Sequence, residues 1–135
     1  MNLRTALVPA ALALTAIAGT AIHAQATQRV AFARGNDNAS VSGTVRGSQY
    51  KDYLLGARAG QSMSVSLITR GNAYFNILPP RSNDVAIYNS SANGNDAVNI
   101  ALPATGDYKI RVYLMGNAKS ANRTVSYQLS MTVMN

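Results

Sequence analysis

Apolar and polar residues alternate along several stretches of the chain, and this alternation limits the possible folds more than any other feature. In residues 61–68, Met63, Val65 and Leu67 alternate with serines. The same spacing recurs at Tyr108, Ile110, Val112 and Leu114, and again at Val125, Tyr127, Leu129, Met131 and Val133. A period of two places one face of a strand on a core and the other in water. No stretch after residue 26 shows sustained helical spacing, so the sequence predicts an all-β domain.

Turn signals divide the rest of the chain into further short strands. Gly-Asn, Asn-Gly and Pro-Pro pairs supply the backbone conformations that tight turns need. Less regular strands are predicted at 29–34, 39–46, 51–58, 73–78, 84–89 and 96–102. Eight or nine short strands at this spacing favour a single antiparallel β-sandwich of jelly-roll or Greek-key type. No linker or repeat interrupts the pattern, which indicates one domain.

The N-terminus has the three parts of a secretory signal peptide. A basic start, Met1-Asn2-Leu3-Arg4, precedes an apolar run from Ala6 to Ile22, and Ala24-Gln25-Ala26 forms the small-residue exit. We therefore predict a signal-peptide helix over 1–26 and a mature β-sandwich domain over 27–135. Cleavage after Ala26 implies a periplasmic protein with no transmembrane anchor after processing.

The mature chain lacks the side chains that most enzymes use. Its single histidine, His23, leaves with the signal, and the chain has no Cys and no Glu. Nucleophilic systems with a His base and zinc sites are therefore excluded. The five Asp lie at predicted turns or strand starts, where Asp caps or solvates the backbone. The oxygen-rich loops 36–38 and 93–96 do not match a defined calcium loop and read as Asx turns. We expect a binding protein, not an enzyme, with no cofactor and no metal.

The chain is strongly basic, which favours anionic partners. Loss of Arg4 with the signal takes the formal charge from +7 to about +6. Such a charge suits nucleic acid, envelope phosphates or an acidic protein face, and it also serves as ordinary solubilising charge. Nucleic acid is not expected, because Tyr53, Tyr108 and Tyr127 are in phase with core residues and no more than two Lys or Arg lie within any five residues.

Two stretches are more specific than their composition. One contains Ser42-Gly43, Tyr50, Asp52-Tyr53 and Ala57–Gln61; the other runs from Leu102 to Val112 as L-P-A-T-G-D-Y-K-I-R-V. Their order resembles the periplasmic inhibitors of g-type (goose-type) lysozyme, from about Ser40 to Val133. A broader similarity links the chain to bacterial pre-peptidase C-terminal (PPC-like) domains, through Asp52, Tyr53, Ala59–Gln61, Gly106, Tyr108, Ile110 and Val112. Both resemblances imply a β-sandwich.

The lysozyme-inhibitor resemblance implies a partner and a site. In that family the loop after the L-P-A-S-G strand resembles R-N-D-A-R and is inserted into the lysozyme cleft. Here Gly116 and Ser120 stand at the arginine positions, Ala118 stands at the acidic position, and Asn117 matches. Lys119 and Arg123 are the neighbouring cations. The expected partner is a g-type lysozyme or a related lytic transglycosylase, with Tyr50, Gly116, Asn117, Lys119, Ser120 and Arg123 as partner-binding residues.

Two other functions remain open. A PPC-like β-sandwich without inhibitory activity would bind anionic envelope glycans, stacking the sugars on exposed Tyr50, Tyr88 and Tyr113. A structural envelope protein would instead associate with copies of itself.

Overall fold

The computed structural model describes residues 25–35 and 37–135, and the predicted signal peptide falls almost entirely outside them. The described residues form nine strands and two single-turn helices. In chain order these are β1 (Gln25–Arg29), β2 (Asn38–Arg46), β3 (Tyr50–Ala57), β4 (Ser62–Thr69), β5 (Ala73–Leu78), β6 (Tyr88–Asn89), α1 (Ser90–Asn93), β7 (Asp96–Ala101), β8 (Gly106–Leu114), α2 (Gly116–Ser120) and β9 (Thr124–Met134). The prediction of an all-β sandwich is confirmed.

The strands form two sheets. The first sheet has the order β1-β3-β8-β5-β6 and the second the order β2-β9-β4-β7. Among the strands that the structure describes, β1 pairs with β3 in parallel and every other pair is antiparallel. β1 begins at Gln25, two residues before the predicted mature N-terminus at Thr27.

The alternating residues fill the space between the sheets. From β4, Met63, Val65 and Leu67 are buried, and β8 and β9 contribute their apolar sets in the same way. Tyr53, Tyr108 and Tyr127 belong to this core, as predicted. The hydroxyls of Tyr53 and Tyr127 lie 2.6 Å apart and join the two sheets. Burial raises the pKa of both phenols.

Two predicted strands are largely wrong in extent. Of residues 29–34, only Arg29 is in a strand, and of residues 84–89, only Tyr88 and Asn89 are. In the second case a side chain closes a turn, because the hydroxyl of Ser82 accepts from the amide of Val85 and donates to its carbonyl. In the first case the backbone leaves the sheet edge after Val30, whose amide still donates to Leu54.

The two motif stretches meet at the end of the sandwich where β3 leads into β4. Gly60 and Leu102 join through a backbone hydrogen bond, as do Leu102 and Gln61. The Tyr108 hydroxyl donates to the Ala104 carbonyl at 2.6 Å and accepts from the Ala104 amide. These motif residues therefore fix the fold, and the candidate site lies at the opposite end.

Candidate functional site

Three connections come together at the end of the sandwich opposite Gly60, Leu102 and the Tyr108 hydroxyl. They are the β2–β3 turn, the β4–β5 turn and the β8–β9 loop. The amide of Gly47 donates to the Arg123 carbonyl at 3.0 Å, and the amide of Met115 donates to the Asn72 carbonyl at 3.1 Å. Strand registers bring these segments together, although up to about 75 residues separate them in the chain.

This surface carries positive charge only. We call residues 46–49, 70–72 and 115–123 the basic end. They include four Lys or Arg and, in these fully described segments, no Asp or Glu. The cations are Arg46, Arg70, Lys119 and Arg123. Such a surface attracts a carboxylate-lined partner at long range.

The β8–β9 loop is an ordered element. Its helix α2 starts at Gly116, which has a φ of +61°, and Ala118 is buried against the core. The amide of Arg123 donates to the Ala118 carbonyl, and that of Ala121 donates to the Asn117 carbonyl, both at 2.9 Å. Because the loop is held in this way, less conformational entropy is lost when a partner binds it.

The structure places all six predicted partner-binding residues at or beside the basic end, on two different surfaces. Tyr50 and Lys119 line a groove on the outer face of the first sheet, which we call the amide groove (Tyr50, Asn76, Asn89, Arg111, Tyr113 and Lys119). Asn117 and Arg123 line a second groove with Arg70 on the side of the second sheet. Gly116 and Ser120 are exposed on α2.

Tyr50 is half-buried, not exposed as predicted, because the Arg111 guanidinium lies over its ring at 4.0 Å from the centroid. Arg111 in turn forms two hydrogen bonds with the Asp52 carboxylate, at 2.8 and 3.0 Å. The hydrogen bond to Asp52 raises the pKa of Arg111. Stacking and ion pairing together fix the orientation of the Tyr50 ring.

The Asp52–Arg111 pair contradicts the expectation that Asp52 solvates a strand start. Asp52 is only 5% exposed. It lies directly across from Arg111 in the β3–β8 register. The sequence carried a signal for this pair, because Asp52 and Arg111 each lie one residue from a core position on an alternating strand. Which strands pair, however, was not readable from spacing.

Arg46 and Arg70 are site cations that the sequence reasoning missed. Arg46 donates through Nε to the Asn122 carbonyl at 3.2 Å, so it braces the loop. Arg70 is exposed and lines the same groove as Arg123. The Arg-Gly-Asn turn at 70–72 was visible in the sequence, but its contact with the β8–β9 loop was not.

Tyr88 and Tyr113 are also half-buried, so the expectation that they are exposed is wrong. The Tyr88 ring stacks on Phe75 with centroids 5.6 Å apart, and its hydroxyl lies 2.6 Å from the Gly94 carbonyl. Loop 93–96, one of the two oxygen-rich loops weighed above as calcium sites, therefore surrounds the Tyr88 hydroxyl with backbone carbonyls. Across the described residues, no group of three or more His, Cys, Asp or Glu is placed to hold a metal ion.

No helix among the described residues is long and apolar enough to cross a membrane.

Comparison with known proteins gives both a family and a fold. A curated relative, the inhibitor of g-type lysozyme from Escherichia coli (strain K12), is 27% identical over 124 residues, which cover 92% of this chain and 93% of the relative. The PPC domain of a collagenase from Bacillus anthracis superposes with a TM-score of 0.61 at 17% identity, over 82% of this chain and 98% of its own. This second likeness shows the shared sandwich fold alone.

A solved structure shows the family. Aeromonas hydrophila PliG, a periplasmic inhibitor of g-type lysozyme, superposes with a TM-score of 0.76 at 31% identity and covers 82% of this chain and 97% of its own. No family model matches the chain. Identity at this level over almost the whole of the solved structure, together with the shared sandwich, shows that the chain belongs to the family of periplasmic inhibitors of g-type lysozyme.

Proposed function

We propose that this protein inhibits a g-type lysozyme, or a related lytic transglycosylase, by placing its basic end against the catalytic cleft of the enzyme. Glycoside-cleaving clefts are lined by carboxylates. The observation that carries the proposal is the convergence of three connections with four cations and no carboxylate on one end of the sandwich. Membership of the inhibitor family supports it.

The β8–β9 loop is the proposed contact element. Lys119 and Arg123 are exposed on it, and Tyr50 lies beside it at the start of β3. The planar guanidinium of Arg can form two hydrogen bonds with a carboxylate, whereas the ammonium of Lys acts as a point charge. In this proposal Arg123 and Arg70 pair with cleft carboxylates, and Lys119 adds charge on the Tyr50 side.

We further infer that the signal sequence directs the protein to the periplasm. There it meets lysozyme that has crossed the outer membrane, or the lytic transglycosylases of the cell itself. The basic end carries no acidic residue. A target with an acidic or neutral cleft rim is therefore favoured over a strongly basic one.

The test is an activity assay with the purified exported protein. Added to a g-type lysozyme that clears peptidoglycan suspensions, it should inhibit at micromolar concentration or below. A parallel arm with a lytic transglycosylase distinguishes the two targets. Unchanged activity of both enzymes would overturn the proposal.

Paired substitutions locate the contact. Lys119→Ala with Arg123→Ala should weaken inhibition about 10- to 100-fold, the usual loss when charged anchors are removed from an interface. The matched control, Arg34→Ala with Arg58→Ala, removes the same charge from connections at the opposite end. If both double variants lose inhibition equally, net charge and not the basic end is responsible.

A further inference from the structure

We propose that the amide groove binds an N-acetylated sugar that carries a carboxylate, the chemistry of an N-acetylmuramic acid unit. This site adjoins the proposed lysozyme contact, and the basic-end residues that also line the groove are Ser48, Gln49, Met115 and Lys119. The groove lies on the outer face of the first sheet, is open to solvent, and has a volume of about 420 Å³. Pockets for small ligands start at roughly 300 Å³, so one sugar ring with its substituents fits.

Two side-chain amides form the centre of the site. Asn76 and Asn89 lie directly opposite each other in the β5–β6 pair. The Asn89 Oδ1 accepts from the amide and the hydroxyl of Ser91, at 3.0 and 2.7 Å, and the Asn76 Oδ1 accepts from the Tyr113 hydroxyl at 3.0 Å. The Ser91 backbone amide can only donate, so it fixes the orientation of the Asn89 amide, and the Tyr113 hydroxyl holds the Asn76 amide in place.

The two amide nitrogens can donate to a ligand. Among the described residues, neither Nδ2 has a hydrogen-bond partner within the protein, and both side chains are half-buried in the groove lining. Two neighbouring side-chain amides suit the carbonyl oxygen of an acetamido group or a ring hydroxyl.

The charges of the groove are complementary to a ligand with one carboxylate. Asp52 neutralises Arg111 through their two hydrogen bonds, so this pair offers no free charge to a ligand. Lys119 is exposed at the rim, and no carboxylate of the described chain pairs with it. A single unpaired ammonium beside neutral amides matches a ligand with one carboxylate on an otherwise neutral polar body.

An acidic peptide fits this lining less well than a sugar acid. Several carboxylates would need several free cations, and the groove offers Lys119 beside neutral Asn, Gln, Ser and Tyr side chains. Neutral polar groups of this kind meet hydroxyl and acetamido oxygens. The lining therefore selects a mostly neutral saccharide over a polyanionic chain.

The proposal is tested by titrating the ¹⁵N-labelled exported protein with three probes. N-acetylmuramic acid should shift the side-chain amide signals of Asn76 and Asn89 in a saturable way. N-acetylglucosamine, which lacks the carboxylate, should bind at least about ten-fold more weakly, the loss expected for one charge-assisted hydrogen bond. D-lactate, which has the carboxylate without the ring, should leave the Asn76 and Asn89 signals unmoved.

Two variants test the two halves of the site. Lys119→Gln should reduce the affinity for N-acetylmuramic acid to that for N-acetylglucosamine. Asn89→Asp keeps the acceptor that caps α1, removes the donor and adds a negative charge, so it should weaken N-acetylglucosamine about five-fold or more and the anionic N-acetylmuramic acid further. Arg34→Gln, at the opposite end, is the charge control and should change neither affinity.

Three results would overturn the proposal. They are equal affinity for the two sugars, signal shifts confined to residues outside the groove, and an equal response to D-lactate. If Asn89→Asp fails to fold, as judged by circular dichroism, the exposed Lys119→Gln variant still decides the matter. Failure here would leave lysozyme inhibition standing, since the clearing assay measures that activity separately.

Discussion

Gly43 shows how a single residue links the two sheets. It lies opposite Tyr127 in the β2–β9 register. A methyl group at this position would come within 2.6 Å of the Tyr127 hydroxyl and 3.1 Å of the Tyr53 hydroxyl. The glycine of the Ser-Gly motif is therefore required by close packing against the buried tyrosine pair, and its φ is ordinary. The motif therefore reports a feature of the core.

Gly43→Ala should lower the free energy of unfolding by about 1–3 kcal/mol, the usual cost of overpacking a core. Tyr127→Phe removes the nearest of the atoms that the new methyl group would meet and leaves the ring carbon Cζ at 2.9 Å, so the double variant should lose somewhat less than the sum of the two single losses. Urea denaturation of the four proteins measures this coupling. Additivity within about 0.5 kcal/mol would show that the methyl group does not press on the hydroxyl.

At the scale of the element, the β8–β9 loop combines a rigid backbone with side chains that differ from those the family resemblance implies. Its backbone is tied to both neighbouring turns by hydrogen bonds. Gly116 and Ser120 stand where the resemblance to the inhibitor family implies arginines. These positions differ physically, because Gly116 has a φ of +61° and Ser120 does not lie in the left-handed region. The loop can therefore accept an arginine at one of them more easily than at the other.

Ser120→Arg should strengthen inhibition of a g-type lysozyme without changing stability. Gly116→Arg should cost about 1 kcal/mol of stability, because a side chain at positive φ is strained. Dose–response curves and urea denaturation measure the two effects. Ala33→Arg, exposed and remote from the basic end, adds the same charge as a control. If it strengthens inhibition as much as Ser120→Arg does, the position in the loop is irrelevant.

At the scale of the whole molecule, hydrogen bonds that close the fold lie at one end of the sandwich, and a cluster of cations lies at the other. The end with Gly60, Leu102 and Tyr108 holds the motif residues that close the fold. The other end holds the four cations of the three meeting connections. The hydrogen bonds that close the fold and the four cations are therefore separated along the length of the sandwich.

This separation predicts that association depends on salt. With an acidic target cleft, the association rate constant should fall several-fold between about 0.05 and 0.5 M salt, because the Debye length shrinks from above 10 Å to a few ångströms. Surface plasmon resonance measures the rate. The dissociation rate should change much less, and an association rate that is independent of salt would contradict the role of the basic end in steering.

Most of the fold was predictable because its signal is local. A core strand must alternate, so Met63, Val65 and Leu67, and the tyrosines 53, 108 and 127, were assigned correctly from spacing alone. The errors at 29–34 and 84–89 arose where alternation is weak and where a side chain, that of Ser82, closes the backbone into a turn.

The sequence by itself determined a two-sheet β-domain without the groups for common catalysis, since periodicity and composition need no knowledge of distant contacts. Only the tertiary structure decided which side chains and loops contact one another. Asp52 pairs with Arg111, which is 59 residues away in the chain. The amide of Gly47 donates to the Arg123 carbonyl of the β8–β9 loop, and Asn76 lies opposite Asn89. Each of these contacts depends on which strands pair and in which register. That choice is made by the packing of the whole core, and for this reason the basic end and the amide groove became visible only in the folded molecule.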